Sequence, residues 1–202
     1  MLLDHQDSQL LLIDYQTRLM PAIFQGVEVV ANARRLAKVA ALLQVPIWAT
    51  EENPASLGPT VPELLQDIEA GRGRVLPKMQ FSAVADGLGD RLRASGKPAG
   101  NARSLPKHLQ KAVPAPARNT VVVAGCESHV CMLQTALDLL ELEFDVVVVT
   151  DASSSRTDRN RDAAFDRMAG AGAELVTTEM VAFEWLRGAD HPQFKAVLSL
   201  IK

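Results

Sequence analysis

The stretch Val121-Val122-Val123-Ala124-Gly125-Cys126-Glu127-Ser128-His129-Val130-Cys131 decides the fold. Its apolar run has no polar alternation, as expected for a strand in a parallel sheet covered by helices on both faces. The run stops at a glycine. Beyond it Val130, Leu133, Leu137 and Leu140 recur at helical spacing, predicting a helix over 128–142 with those residues toward the core. Ser128 is the expected N-cap, which places Cys131 in the first helical turn. Free N–H groups and the helix field favour a thiolate there. Desolvation alone would favour the neutral thiol, so a packed structural cysteine is the competing reading of this stretch.

Working outward, the same unit repeats. Strands are expected at 10–13, 45–50, 74–76, 120–124, 145–149 and 173–177. Helices are expected at 27–43, 61–65, 84–94, 128–142, 159–171, 179–186 and 194–200. Val30, Leu36, Ala37, Ala40 and Leu43 form much of the apolar side of the first helix. Alternation of this kind predicts an α/β fold: three layers, α/β/α, around a mostly parallel, six-stranded, Rossmann-like sheet. Ligands in such folds gather beyond the C-terminal ends of the strands. Asp14, Lys78 and Cys131 all fall at that edge. The irregular segment 98–116, with four prolines, is expected as a surface insertion, helical at 105–113, in a single domain spanning 1–202.

Composition narrows the function classes. The chain has 202 residues, 48% of them apolar, and a formal charge of −3. That suits one globular domain and supplies no strongly basic block for nucleic acid. The short basic stretch 103–111 is interleaved with Leu105 and Leu109, as in an exposed helix. No apolar run spans a bilayer. The first strand begins close to Met1, leaving no room for a leader, and Cys126 and Cys131 lack CxxC spacing. A cytoplasmic protein acting on a small molecule, without nucleic-acid or membrane partners, is the expectation.

At the strand ends, Asp14 follows four apolar residues, where an unpaired carboxylate would be unfavourable. It can serve as general base for Cys131, or it can accept backbone N–H bonds in the turn. Gln16 can orient a polar substrate group or bind the local backbone. Lys78, placed by the rigid Pro77, can lower the cysteine pKa and keep Asp14 ionised. Taken alone, a lysine after a strand is ordinarily a solvated surface residue. Phe81 reads as a packing residue or pocket wall, and Ser82 as the cap of the helix at 84–94. Glu127 and His129 either line an entrance or face outward.

These features together closely resemble the isochorismatase-like cysteine hydrolases, in particular the isochorismatase domain-containing subgroup of unsettled substrate. The resemblance runs through Asp14-Tyr15-Gln16, Thr50-Glu51-Glu52, the stretch 57–64, 78–82, Gly125 through Cys131, 151–155 and 191–195. It implies a catalytic triad of Asp14, Lys78 and Cys131, and a cis peptide at Cys126-Glu127. It also implies an oxyanion hole from the backbone N–H groups of Glu127 and Cys131, with Cys126 structural. Gln16, Glu52, Phe81 and Ser128 are the implied pocket residues. The implied reaction is C–N cleavage of a small amide through a thioester on Cys131, in a homo-oligomer, dimer or tetramer.

Two departures bear on the substrate. Metal-dependent nicotinamidases of this superfamily place Asp-x-His after the second strand, where this chain has Thr50-Glu51-Glu52-Asn53-Pro54. No catalytic metal and no cofactor are therefore expected. Members that cleave isochorismate generally lack the cysteine. The alternatives are a noncatalytic or redox-responsive interaction protein on the same fold, or a nicotinamidase- or isochorismatase-type enzyme with an atypical site.

Overall fold

A computed structural model describes residues 2–94 and 118–202. The expected insertion at 98–116 lies outside the described residues. The elements run β1 (Ser8–Ile13), α1 (Gly26–Leu42), β2 (Ile47–Glu52), α2 (Pro54–Leu57), α3 (Pro62–Ala70), β3 (Arg74–Lys78) and α4 (Leu88–Ala94). Then follow β4 (Thr120–Gly125), α5 (Leu133–Glu141), β5 (Asp145–Val149), α6 (Asp158–Gly170), β6 (Glu174–Val176), α7 (Thr178–Leu186) and α8 (Phe194–Ile201).

The strands form one parallel sheet in the order β3-β2-β1-β4-β5-β6. Alternation along each strand feeds two separate cores. Leu10, Leu12, Val122 and Ala124 pack on one face with Leu36 and Ala40 of α1, Leu64 and Ile68 of α3, and Trp185 of α7. Leu11, Ile13, Val121 and Val123 pack on the other with Leu88 and Leu92 of α4, Leu139 of α5 and Met168 of α6. Helices on both faces and strands buried on both sides make the three-layer α/β/α architecture.

The chain leaves β1 for β2 and β3 on one side of the sheet, and β4 for β5 and β6 on the other. The switch point therefore lies between the C-terminal ends of β1 and β4, where such sheets open a ligand crevice. Ile13 pairs there with Gly125. A Cβ on Gly125 would stand 2.6 Å from both Cβ and O of Ile13, so any side chain would force the two strand ends apart.

Several local expectations need correction. The helix expected at 84–94 begins at Leu88, after turns at 83–87. Ser82 does not cap it; its hydroxyl donates instead to Asp138, which ties the turn to α5. The helix expected at 128–142 opens as a π-helical turn, Ser128–Met132, before α5. That wider turn rotates the pattern, so Met132, Leu133, Ala136 and Leu139 are buried while Val130, Leu137 and Leu140 are only half-buried.

Candidate active site

Asp14 is the first residue beyond β1 and has a left-handed backbone, φ 56°. Its own N–H donates to Thr50 O at 3.1 Å, and its carbonyl accepts from Gln16 N at 2.8 Å. The carboxylate is fully buried. Oδ1 accepts from Thr50 Oγ1 at 2.7 Å. Oδ2 stands 2.8 Å from Lys78 Nζ, an ion pair, and accepts no hydrogen bond of good geometry among the described residues. The same oxygen is thus held by charge yet open to a further proton.

Lys78 ends β3, the edge strand, and the β2–β3 register sets it opposite Glu52. Its Nζ donates to Glu52 Oε2 at 2.7 Å and to the carbonyls of Gln80 and Phe81 at 3.3 and 3.2 Å. Only 3% of the residue is exposed. Burial pulls the ammonium pKa down, but Asp14 and then Glu52 outweigh it, and the net shift is upward. Lys78 therefore stays charged, clamped between two carboxylates.

Cys131 sits in the π turn, where the N–H groups of Val130 and Met132 converge on Glu127 O at 3.1 and 3.3 Å. Its sulfur and one carboxylate oxygen each from Asp14 and Glu52 lie within 4.8 Å of one another. Burial is the largest influence on this thiol and raises its pKa; Asp14 raises it further, Lys78 opposes, and Glu52 adds to the rise. The balance of these influences favours the neutral thiol. This corrects the expectation of a helix-stabilised thiolate, because desolvation and two carboxylates outweigh one ammonium.

The structure brings Asp14, Lys78 and Cys131 together and treats the expected pocket residues differently. Gln16 Nε2 donates to the carbonyls of Glu52 and Gly58 at 2.9 and 2.7 Å, while its Oε1 accepts from Glu52 N at 2.8 Å. Its amide is spent holding the Glu52 backbone. Ser128 does not cap the turn; its own N–H donates to Ser154 O at 2.8 Å, and its hydroxyl is buried without a partner among the described residues. The Phe81 side chain is half exposed and its carbonyl faces Lys78. Asp86 fastens this loop by accepting from the N–H groups of Met79 and Gln80 at 2.9 and 3.0 Å. A cavity of about 110 Å³ adjoins Lys78, with Thr50, Asp86 and Arg91 in its wall.

On the other flank the Cys126–Glu127 peptide is cis. The Glu127 N–H donates to no acceptor among the described residues. The Glu127 carboxylate accepts from Arg156 Nε at 2.9 Å, and His129 Nδ1 meets Ser155 Oγ at 2.9 Å. Cys126 is wholly buried in the opposite core from Cys131. Asp14, Glu52 and Cys131 could offer three ligand atoms to a cation, but the Lys78 ammonium already bridges the two carboxylates.

Sequence reasoning missed Thr50 as the donor that fixes Asp14, and it missed the Glu52–Lys78 pair. The available signal was register. A parallel sheet aligning the ends of β2 and β3 places Glu52 beside Lys78, and Thr50, two residues earlier on β2, beside Ile13.

Comparison with known proteins identifies relatives of this chain. The model of the isochorismatase domain matches residues 8–180. Isochorismatase domain-containing protein 2A of Mus musculus is 39% identical, covering 98% of this chain and 84% of that protein. Isochorismatase domain-containing protein 2 of Rattus norvegicus is 36% identical, covering 98% and 82%. Among solved structures, the MAR1 ribonuclease of Caenorhabditis elegans superposes with TM-score 0.84 at 34% identity, covering 98% of this chain and 91% of that one. YcaC of Pseudomonas aeruginosa, with hexane-2,5-diol and covalent acrylamide, gives 0.81 at 27% identity, covering 98% and 90%. The Escherichia coli YcaC product, an octameric hydrolase of unknown specificity, gives 0.81 at 26%, covering 98% and 88%. With its sheet order, its switch-point cysteine and a domain match over most of its length, this chain belongs to the isochorismatase family.

Proposed function

We propose that this chain is a cysteine hydrolase, one hydrolase domain over 1–202, that cleaves the C–N bond of a small amide through a thioester on Cys131. The observation that carries the reading is the meeting of one sulfur and one fully buried carboxylate within 4.8 Å, with an ammonium 2.8 Å from that carboxylate. Asp14 is the general base, Lys78 stabilises charge, and the backbone N–H groups of Glu127 and Cys131 are the oxyanion hole.

Because the neutral thiol is favoured at rest, deprotonation accompanies attack. The thiol proton passes to Asp14 Oδ2 as the Sγ–C bond forms and the carbonyl π electrons move to oxygen. The oxyanion is held by the two N–H groups. When the tetrahedral species collapses, the C–N bond breaks and the Asp14 proton goes to nitrogen, so ammonia or an amine leaves. Asp14 then takes a proton from water. The hydroxide adds to the thioester carbon, the C–S bond breaks, and the proton returns to sulfur. The sum is amide plus water to acid plus amine. Lys78 stays charged throughout and stands beside Asp14 as its counter-cation.

A covalent acrylamide in the Pseudomonas aeruginosa relative accords with nucleophilic chemistry on this fold. The ribonuclease name of the Caenorhabditis elegans relative finds no counterpart in the described site, where two carboxylates face one ammonium. Phe81 and Ser128 remain pocket residues in this reading, and a homo-oligomer accords with the octameric Escherichia coli relative. No helix among the described residues is long and apolar enough to cross a membrane.

The test is a panel of small amides assayed for amine release, with intact-mass detection of an acyl adduct and Cys131→Ala as control. Turnover with a thioester adduct, both lost in the variant, is expected. Hydrolysis unchanged in Cys131→Ala overturns the covalent route.

A further inference from the structure

We infer that Glu52 is the residue that selects the substrate, accepting a hydrogen bond from an N–H attached to the carbonyl carbon that Cys131 attacks. The substrate class is thereby a primary or N-monosubstituted amide or carbamoyl compound, as against an ester or a tertiary amide. This rests on the cysteine-hydrolase reading of the same site.

Glu52 differs from Asp14 in where its oxygens point. Asp14 is fully buried, with Oδ1 accepting from Thr50 and Oδ2 beside Lys78 and turned inward, away from solvent. Glu52 gives Oε2 to Lys78 at 2.7 Å, while Oε1 has no donor among the described residues and is not sealed from solvent. The side chain keeps 12% of its surface. One oxygen is therefore anchored and the other left free to accept.

The anchoring is rigid. Lys78 fixes the carboxylate, and the Gln16 amide binds both the N–H and the C=O of the Glu52 backbone, at 2.8 and 2.9 Å. An acceptor held this way discriminates by orientation, since a substrate group without a hydrogen leaves it unpaired.

A Glu52 carboxylate oxygen lies within 4.8 Å of the Cys131 sulfur. An attacked carbon stands about 3 Å from the sulfur and an N–H···O contact spans about 2.9 Å, so an N–H one bond from that carbon falls in the neighbourhood of the carboxylate. Charge points the same way. With the thiol neutral, Asp14 and Glu52 exceed Lys78 by one negative charge, and Glu127 on the far flank is matched by Arg156. A carboxylate so placed repels another lone pair and attracts a hydrogen-bond donor.

The experiment uses two probes of the same shape beside the reacting carbon: p-nitrophenyl carbamate, bearing NH₂, and p-nitrophenyl acetate, bearing CH₃. Attack forms the Sγ–C bond, breaks the C–O bond and releases p-nitrophenolate while the thiol proton goes to Asp14. The burst is read by absorbance, and the Cys131 adduct by mass. Rates are normalised to glutathione, which removes intrinsic reactivity.

The wild-type chain is expected to favour the carbamate by at least about tenfold, and Glu52→Gln, which turns the free acceptor into a donor, to reduce that ratio to about twofold or less. Glu52→Asp, with the charge kept but withdrawn by one methylene, is expected between the two and decides the matter should the Gln variant not fold. A ratio equal in all forms while Cys131 still labels overturns the selection role and leaves the hydrolase reading standing. An equal loss with both probes in Glu52→Gln also overturns it, making Glu52 a partner of Lys78 alone. No labelling of Cys131 by either probe in the wild type overturns this inference together with the hydrolase reading.

Discussion

Cys126 and Cys131 lie on the same strand-to-helix passage and meet opposite fates. Cys126 packs in the core beside α1, wholly buried, and Cys131 packs on the α4–α5 side with 6% of its surface exposed. Burial is the leading influence on both, and both thiols are pushed well above the ordinary value. A low resting pKa therefore does not single out the proposed nucleophile. Lys78 acts as a counter-cation on Cys131, whereas among the described residues no cation offsets burial at Cys126. Cys131 also has carboxylate oxygens within 4.8 Å of its sulfur. Reactivity here is a matter of a poised base and a route to solvent, with the thiolate formed only as it attacks.

The sharpest way to break this contrast is to remove each sulfur in turn. Cys131→Ala is expected to bring amide hydrolysis and the p-nitrophenolate burst down to background, with no adduct by intact mass. Cys126→Ala is expected to retain both. Equal losses in the two variants would erase the distinction. Next in size is Asp14→Asn, expected to slow adduct formation at Cys131 by about 10²–10⁴-fold, the usual range for a general base. Thr50 can still hold the amide, so circular dichroism should show a folded chain.

Lys78→Met tests the cation that Cys126 lacks. It leaves Asp14 and Glu52 uncompensated and is expected to lower unfolding free energy by about 3–5 kcal/mol, read by urea denaturation.

A smaller effect is expected at alkaline pH. Lys78, Cys126 and Cys131 have folded-state pKa values above their ordinary ones, and so does buried Tyr15. The unfolded chain releases these protons first, so their stabilisation is complete below the ordinary values and is lost as pH rises. The urea midpoint should begin to fall near the ordinary thiol value of 9.0. Cys126→Ala should flatten the start of that fall. A midpoint constant from neutral pH to beyond the ordinary lysine value of 10.5 would contradict the shifts.

Local pattern made much of the fold readable. β5 occupies the expected 145–149, and α1, α6 and α8 lie within one residue of their expected ends. Those segments carry unbroken apolar runs or clear helical periodicity, signals that need only near neighbours. The passage after Gly125 was harder. Nothing in Ser128-His129-Val130-Cys131-Met132 announces a π turn, because the turn is stabilised by the Glu127 carbonyl taking two N–H groups. The role of Ser82 is not legible locally for a related reason: its acceptor, Asp138, belongs to a distant helix.

What the sequence determined by itself is the alternation of strands and helices, the sheet edge on which Asp14, Lys78 and Cys131 fall, and the family they point to. Each follows from side-chain periodicity and short motifs along a continuous chain. Only the tertiary structure decided that Glu52 shares Lys78 with Asp14, that Thr50 fixes the carboxylate, and that burial pushes the Cys131 thiol pKa up. Those properties depend on strand register and on how completely remote segments exclude water. Register and desolvation are sums over the whole packed molecule, and no single segment contains them.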